Sequence, residues 1–462
     1  MISDHRQLSG LAVTVMGLGL HGGGAASARF FASRGCRVTV TDLRDEATLA
    51  PSLASLSDLP IRFVLGKHTE DIFTDADIVI KNPAVPASSP YLKLARRVET
   101  DISVFLRFNR SPVIAITGSK GKSTTASAVH YCLKEAMPGS RLGGNITTSP
   151  LIFLDEEDRN TDHPVVLELS SWQLADLKGT GLLKPSVAVL TVIMPDHMDR
   201  YAGMEEYVAD KRIIYQCQDP GDYTLCLRDD RYGRSFHGQT PGTPLYYSSS
   251  PLPDGTPGAL LASDGRGFLR VNGEPVEILP EKLVLPGRHN RLNLLAAGAA
   301  CFLSGMEGPA AAERLGSFPG IEHRLEHVRT RRGVDYYNDS AATIPEAVKA
   351  AMESFDRPVV LIAGGTDKKL DFTALASAAD RARRVVLLAG SGTDKLVKIL
   401  DKRGTGWTGP FENIGDAVRE AAEAAGAGDI VLLSPGCTSF GMFLNEFDRG
   451  RKYKAAVMDL PG

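Results

Sequence analysis

Eight residues, Thr117-Gly118-Ser119-Lys120-Gly121-Lys122-Ser123-Thr124, constrain this chain more than any others. They follow an apolar run at 112–117 and precede a helical pattern, so they require a strand, a tight glycine turn and a helix in that order. A turn of this kind aims backbone N–H groups outward at a helix N-terminus, where an anion is favoured. Gly118 and Gly121 let the backbone curl around phosphates, Lys122 brings an ammonium to the β- and γ-phosphates, and the Ser123 hydroxyl suits magnesium. The usual phosphate loop carries a glycine five residues before its Gly-Lys pair. Ile116 stands there, so this is a shortened TGxxGKST form. A turn that merely caps a helix is the plainer reading, and it leaves the lysine and the hydroxyls unexplained.

Around this loop, short Val- and Ile-rich runs alternate with longer helical patterns, which predicts parallel sheets covered by helices. At about 100–200 residues per domain, 462 residues suggest three domains. We place them at 1–100, 101–320 and 321–462. In the first, strands at 11–16 and 37–41 flank a helix near 23–34, and 76–80 reads as the third strand. The middle segment has strands at 112–117, 164–169 and 186–193. Its Gly-, Pro-, Ser- and Asp-rich stretch 240–281 reads as turns and hairpins whose strands cannot be placed, and a helix begins near Asn290. The third segment alternates strands at 334–337, 358–363, 384–389 and 429–433 with helices near 345–355, 392–400 and 415–425, a small doubly wound pattern.

Bulk properties narrow the function. A net charge of −3 gives no field that would gather nucleic acid. No run of about 18 apolar residues predicts membrane insertion, and Met1–Gly10 has no apolar core of a signal peptide. The six cysteines form no CxxC pair, which fits reduced thiols in a cytoplasmic protein better than disulfides or zinc.

Further polar groups gather at strand ends. Glu168 closes the run 164–169, a place for a magnesium ligand beside a phosphate loop or, read plainly, a helix cap. Asp196, His197, Asp199 and Arg200 follow the strand at 186–193, and ten residues after Tyr201 comes Lys211, by itself an ordinary surface lysine. Asn290 and Asn293 share one helical face at the positive end of their helix. Arg324 can clamp a phosphoryl group bidentately, and Asp339 ends a strand. The first domain carries Gly17-Leu18-Gly19-Leu20-His21-Gly22 with Asp42 some twenty residues on, the dinucleotide fingerprint. Alone it needs only a tight turn facing a phosphate, and any nucleotide diphosphate satisfies it. An NAD-dependent oxidoreductase or NAD-binding sensor is therefore an alternative, though it leaves the phosphate loop idle.

Taken in order, GLGLHG at 17–22, TGSKGKST at 117–124, GGN at 143–145, ELSSWQL at 168–174, DHMDRY at 196–201, HNRLN at 289–293, EHRLE at 322–326, NDSAAT at 338–343 and LSPGCTSF at 433–440 resemble the Mur ligases along nearly the whole chain. The resemblance implies an amino-terminal Rossmann-like domain for a uridine nucleotide, a central phosphate-loop ATPase with a mostly parallel sheet, and a mobile Rossmann-like carboxyl-terminal domain. It implies that Gly118, Ser119, Lys120, Gly121, Lys122, Ser123, Thr124, Asn290, Asn293, Arg324 and Asp339 bind ATP. Lys122, His197, Lys211 and Arg324 are the implied catalytic residues. Two magnesium ions would be held by Ser123, Glu168, His197 and a carbamylated Lys211. Leu20, His21 and Arg44 would lie near the uracil and Asn145 near the muramoyl group, with Thr343, Lys368, Ser439 and Phe440 around the incoming amino acid.

The implied reaction joins glutamate, with the D isomer expected, to UDP-N-acetylmuramoyl-L-alanine in peptidoglycan synthesis. ATP first converts the acceptor carboxylate to an acyl phosphate, and the amine then displaces phosphate. The small-molecule partners are ATP, glutamate and the uridine nucleotide, and a monomer is expected. A folylpolyglutamate synthase shares the loop but lacks the roughly 110 residues that precede it here. Three departures bear on the amino acid and the uracil. Ala341 stands where the family often has Lys, Glu446-Phe447 inverts the usual aromatic–acidic order, and His21 replaces a smaller polar residue. Addition of L-glutamate or another amino acid is the alternative within the class.

Overall fold

The computed structural model describes residues 5–20, 22–146, 148–155, 162–196, 201–367 and 370–461. It is α/β throughout, with three mostly parallel sheets. Parallel strands need cover on both faces, which is why their sequences are almost continuously apolar.

In the first sheet Ala12–Met16 lies between Arg37–Asp42 and Ile78–Lys81, parallel to both, and Arg62–Leu65 and Val98–Glu99 form the edges. The strand ending at Lys81 is thus the fourth, not the third. Arg62–Leu65 escapes the sequence pattern because it is a four-residue edge strand with no fully buried side chain.

The second sheet has nine strands, in the order Arg141–Gly144, Val165–Glu168, Val113–Thr117, Val187–Leu190, Tyr223–Leu227, Thr243–Ser248, Gly258–Leu261, Gly267–Arg270 and Val276–Leu279. The first seven run parallel, and Gly267–Arg270 pairs antiparallel with its neighbour on each side. Hairpins therefore describe only the end of 240–281. Thr243–Ser248 instead extends the parallel sheet, although Pro244 and two tyrosines disguise it. Val113–Thr117 has neighbours reached in opposite directions, the switch point where an open α/β sheet exposes strand ends to ligand. Just past Glu168, Ser170 and Gln173 exchange side-chain and backbone hydrogen bonds in a capping box that starts helix Ser171–Asp176.

The third sheet runs Glu326–Arg331, Val334–Asn338, Ile430–Leu433, Val359–Gly364, Arg384–Leu388, Trp407–Phe411, antiparallel only at its first pair. Val360, Ile362, Val386, Val431, Leu433 and Tyr453 form its core. The chain divides into two compact units, 1–281 with 292–315, and 282–291 with 316–462. Among the described residues no helix is long and apolar enough to cross a membrane.

Candidate active site

The phosphate loop begins where Val113–Thr117 ends. Gly118 (φ +149°) and Gly121 (φ +90°) hold conformations that L side chains rarely adopt. Added side chains would also collide: a Cβ on Gly118 would lie 1.8 Å from Thr191 Oγ1, and one on Gly121 2.4 Å from Asn293 Oδ1. The latter brings Asn293 against the loop. Thr191, at the end of the neighbouring strand, braces the turn by donating to the Lys120 carbonyl at 2.7 Å. Gly121 then caps helix Lys122–Ala136 in a left-handed conformation, which leaves the N-terminal N–H groups of a four-turn helix facing outward.

Two ammonium groups meet at one carbonyl. Lys122 Nζ donates to Gly118 O and Ser119 O at 2.9 Å each, and Lys211 Nζ donates to Gly118 O at 2.9 Å. Lys211 is only 1% exposed, on helix Met204–Arg212, so the surface-lysine reading of this residue is wrong. Burial first, and repulsion from Lys122 second, bring its amine down to about 7. Its ammonium also lies 4.5 Å over the Tyr207 ring, whose hydroxyl is 2.9 Å from Ser119 Oγ. Tyr207 and Thr191 escape the sequence reading, since each is an ordinary polar residue until the fold joins it to the loop.

Glu168, 2% exposed, sits at the end of the adjacent strand. Asn145 fixes it through its side-chain amide, 2.9 Å from Oε1, while the Asn145 backbone N–H donates to the Glu168 carbonyl at 2.8 Å. The second carboxylate oxygen, Oε2, is buried with no hydrogen-bond partner among the described residues. A buried carboxylate oxygen in that state needs a cation or donor from outside the chain. Lys120, exposed, is 3.4 Å from Asp196. His197 lies outside the described residues. Among the described residues no three His, Cys, Asp or Glu side chains form a metal-binding group. That does not conflict with the expected set, in which one ligand is His197 and another a lysine derivative. Ser123, half-buried, and Thr124 occupy the first helical turn.

In the first sheet Gly17, Gly19 and Gly22 all have positive φ, and Gly22 caps helix Gly23–Ala32. Asp42 accepts from Gly19 N–H at 3.0 Å and from Arg44 N–H at 2.9 Å. Leu20 and Arg44 are exposed beside this turn, and His21 lies outside the described residues.

In the second unit, Arg324 is exposed between His323 (φ 67°) and Leu325 (φ 44°), two residues in a left-handed conformation that favours glycine. Asp339 holds that segment by accepting from Leu325 N–H at 3.2 Å, and Ser434 Oγ donates to its other oxygen at 2.8 Å. Burial raises the Asp339 carboxyl to about 7, opposed by its hydrogen bonds and by Arg324. Asn290 donates to the Pro286 carbonyl at 2.7 Å. Arg449, 1% exposed and unforeseen, ties the Ser340 segment to the Cys437 segment by donating to Ser340 Oγ and O and to Cys437 O at 2.8–3.1 Å. Thr343, Ser439 and the exposed Phe440 lie on these two segments, and Lys368 is outside the described residues. At the inverted pair, the Glu446 backbone carbonyl accepts from Ser340 Oγ, and the Phe447 ring packs 5.7 Å from His323.

Fold and loop together define a three-domain α/β enzyme of the phosphate-loop kind. Residues 11–104 match the MurD-like N-terminal domain of Mur ligases, 116–301 the Mur ligase middle domain, and 323–437 the glutamate ligase domain. A UDP-N-acetylmuramoylalanine–D-glutamate ligase of Treponema pallidum is 40% identical over 97% of this chain and 98% of its own length. One of Roseiflexus sp. is 43% identical over 98% and 99%. Among solved structures, the UDP-N-acetylmuramate–alanine ligase of Thermotoga maritima aligns with a TM-score of 0.60 at 19% identity over 97% of this chain and 99% of that one, a likeness of fold. The chain belongs to the Mur ligase family, ATP-dependent ligases that form a C–N bond.

Proposed function

We propose that this enzyme joins D-glutamate to UDP-N-acetylmuramoyl-L-alanine at the expense of ATP in peptidoglycan synthesis. Support comes from the relatives at 40% and 43% identity that carry this name. The physical observation behind the reading is that the strand leading into the glycine turn of Lys122 lies beside the strand that ends in Glu168, one of whose buried carboxylate oxygens has no hydrogen-bond partner among the described residues.

The loop N–H groups and Lys122 hold the triphosphate, and Arg324, Asp339, Asn290 and Asn293 are assigned to ATP by the family resemblance. Magnesium, for which Ser123, Glu168, His197 and Lys211 are the candidate ligands, neutralises charge on the phosphate oxygens when bound. A carboxylate oxygen of the acceptor attacks the γ-phosphorus, the bond to the bridging oxygen breaks, and ADP leaves an acyl phosphate behind. The amine of glutamate then attacks the acyl carbon, loses a proton, and inorganic phosphate departs. Lys211 can join a cation site only as an anion. Its amine, uncharged above about pH 7, can add carbon dioxide with loss of a proton to give a carbamate. Asn145 orients Glu168 through its side-chain amide, and the family resemblance assigns it to the acceptor as well.

The deciding experiment measures phosphate release with ATP, UDP-N-acetylmuramoyl-L-alanine and either D- or L-glutamate. Release with the D isomer, and a product heavier by one glutamyl residue, is expected. No release with either isomer would overturn the reading, and release with L-glutamate alone would overturn the assigned stereochemistry.

A further inference from the structure

The reaction leaves one buried charge cluster unexplained. Lys81 ends the strand Ile78–Lys81 and is 5% exposed. Its Nζ lies 2.8 Å from Asp176 Oδ2 and donates to the Val85 carbonyl at 3.2 Å. Asp176 is the last residue of the helix that the Ser170 capping box starts two residues beyond Glu168. A second carboxylate, Asp101, is buried nearby and opens helix Asp101–Phe108. Burial pushes both carboxyls up, and the two repel. Lys81 and Asp101 line one narrow cavity together with Gly17, Gly24, Ser27 and Asn82.

A buried ion pair is a weak source of stability, because removing two charges from water offsets most of their attraction. What it does supply is a fixed geometry between the segments that carry it. Here those segments lead to the two substrates. Asn82, next to Lys81, donates from its side chain to the Gly17 carbonyl at 3.3 Å, and a Cβ on Gly17 would lie 2.9 Å from Asn82 Cβ. Lys81 is therefore tied to the glycine turn of the first sheet. Asp176 is tied through one short helix to Glu168 and thence to Asn145.

We propose that Lys81 and Asp176 are positioning residues for the acceptor: their ion pair sets the glycine turn that grips the nucleotide diphosphate against the Glu168–Asn145 end of the central sheet. The acceptor spans those two places, its diphosphate at one and its reacting carboxylate at the other, so a shift between them misplaces the carboxylate. This rests on the ligase reading above.

The test uses full-length Lys81→Met, Lys81→Arg, Asp176→Leu and the double variant Lys81→Met/Asp176→Leu, with melting temperature and separate KM values for the acceptor and ATP. The single apolar variants should raise the acceptor KM by about tenfold, with the ATP KM within about twofold, since the ion pair bears on how the acceptor is held and not on the phosphate loop. Lys81→Arg should recover part of the loss. The double variant should recover melting temperature, because no charge is left buried alone, yet keep the raised acceptor KM. An unchanged acceptor KM in the folded variants, equal effects on both substrates, or full recovery in the double variant would each overturn the proposal. Failure of the ligase reading looks different: the unmodified enzyme itself would then release no phosphate.

Discussion

The chain carries the same backbone device twice. In the first sheet, Gly17, Gly19 and Gly22 turn the chain from a central strand into a helix, and in the second Gly118 and Gly121 do so. Both turns sit between strands whose connections leave in opposite directions, and both end on a left-handed glycine cap. They differ in what surrounds them. The first turn is braced by a carboxylate, Asp42, whose two oxygens each already take a backbone N–H. The second is faced by two ammonium groups and a buried carboxylate oxygen with no hydrogen-bond partner among the described residues. A turn with only backbone donors can hold a diphosphate. A turn flanked by two lysine side chains and a buried carboxylate has groups that can also move a phosphoryl group. The NAD alternative leaves this second turn without a use.

The largest expected effect falls on the second turn. Lys122→Ala should lower turnover by roughly 100- to 1,000-fold, as for loss of a charge that stabilises the transition state. Phosphate release in a folded variant checks it, and near-normal turnover would erase the distinction between the turns. Lys211→Ala should also lose most activity, with partial return on adding a small carboxylic acid that replaces the carbamate. The sign of the pH dependence follows from an amine at about 7 in place of 10.5: lowering pH through 7 protonates Lys211 and withdraws the form that takes up carbon dioxide. Carbon-13 NMR under labelled carbon dioxide should show a carbamate signal that fades on acidification and is absent from Lys211→Ala.

Lys211 also marks the limit of what the sequence could say. The glycine turns, the apolar strands around them and the acidic strand end at Glu168 are local patterns and read correctly. Burial of one lysine by Gly118 is not local, for 93 residues separate them. The same holds for Arg449 against Ser340 and for Lys81 against Asp176, pairs that only the folded chain brings together. Two of the missed strands share a cause as well. Glu326–Arg331 has mostly half-exposed side chains, and Trp407–Phe411 contains Gly409 and Pro410, so neither has the buried apolar run that betrays a central strand. Helix Glu446–Met458 packs Tyr453 and Val457 inward, yet its charged residues mask the stripe.

A smaller effect should follow at the first turn. Asp42→Asn weakens charge-assisted bonds to Gly19 and Arg44, and the acceptor KM should rise about tenfold, equivalent to about 1.4 kcal/mol. Turnover at saturation should stay near normal. A fall in turnover comparable with that of Lys122→Ala would mean that the first turn takes part in the chemistry, and the contrast drawn above would fail.

The finest test separates conformation from collision. A Cβ on Gly19 would find its nearest neighbour, Asn82 Nδ2, at 3.8 Å, an ordinary contact, so Gly19→Ala should cost only the strain of φ +64° in an L-residue. That is about 1–2 kcal/mol, a modest drop in melting temperature with activity retained. Gly118→Ala meets Thr191 Oγ1 at 1.8 Å, and Thr191 is itself bonded to the Lys120 carbonyl, so neither side can yield without opening the turn. It should lose ATP binding outright, measured by calorimetry on the folded fraction. If both alanines cost the same, strain rather than the strand packed behind the loop would govern both turns, and the bracing role of Thr191 would have to be abandoned.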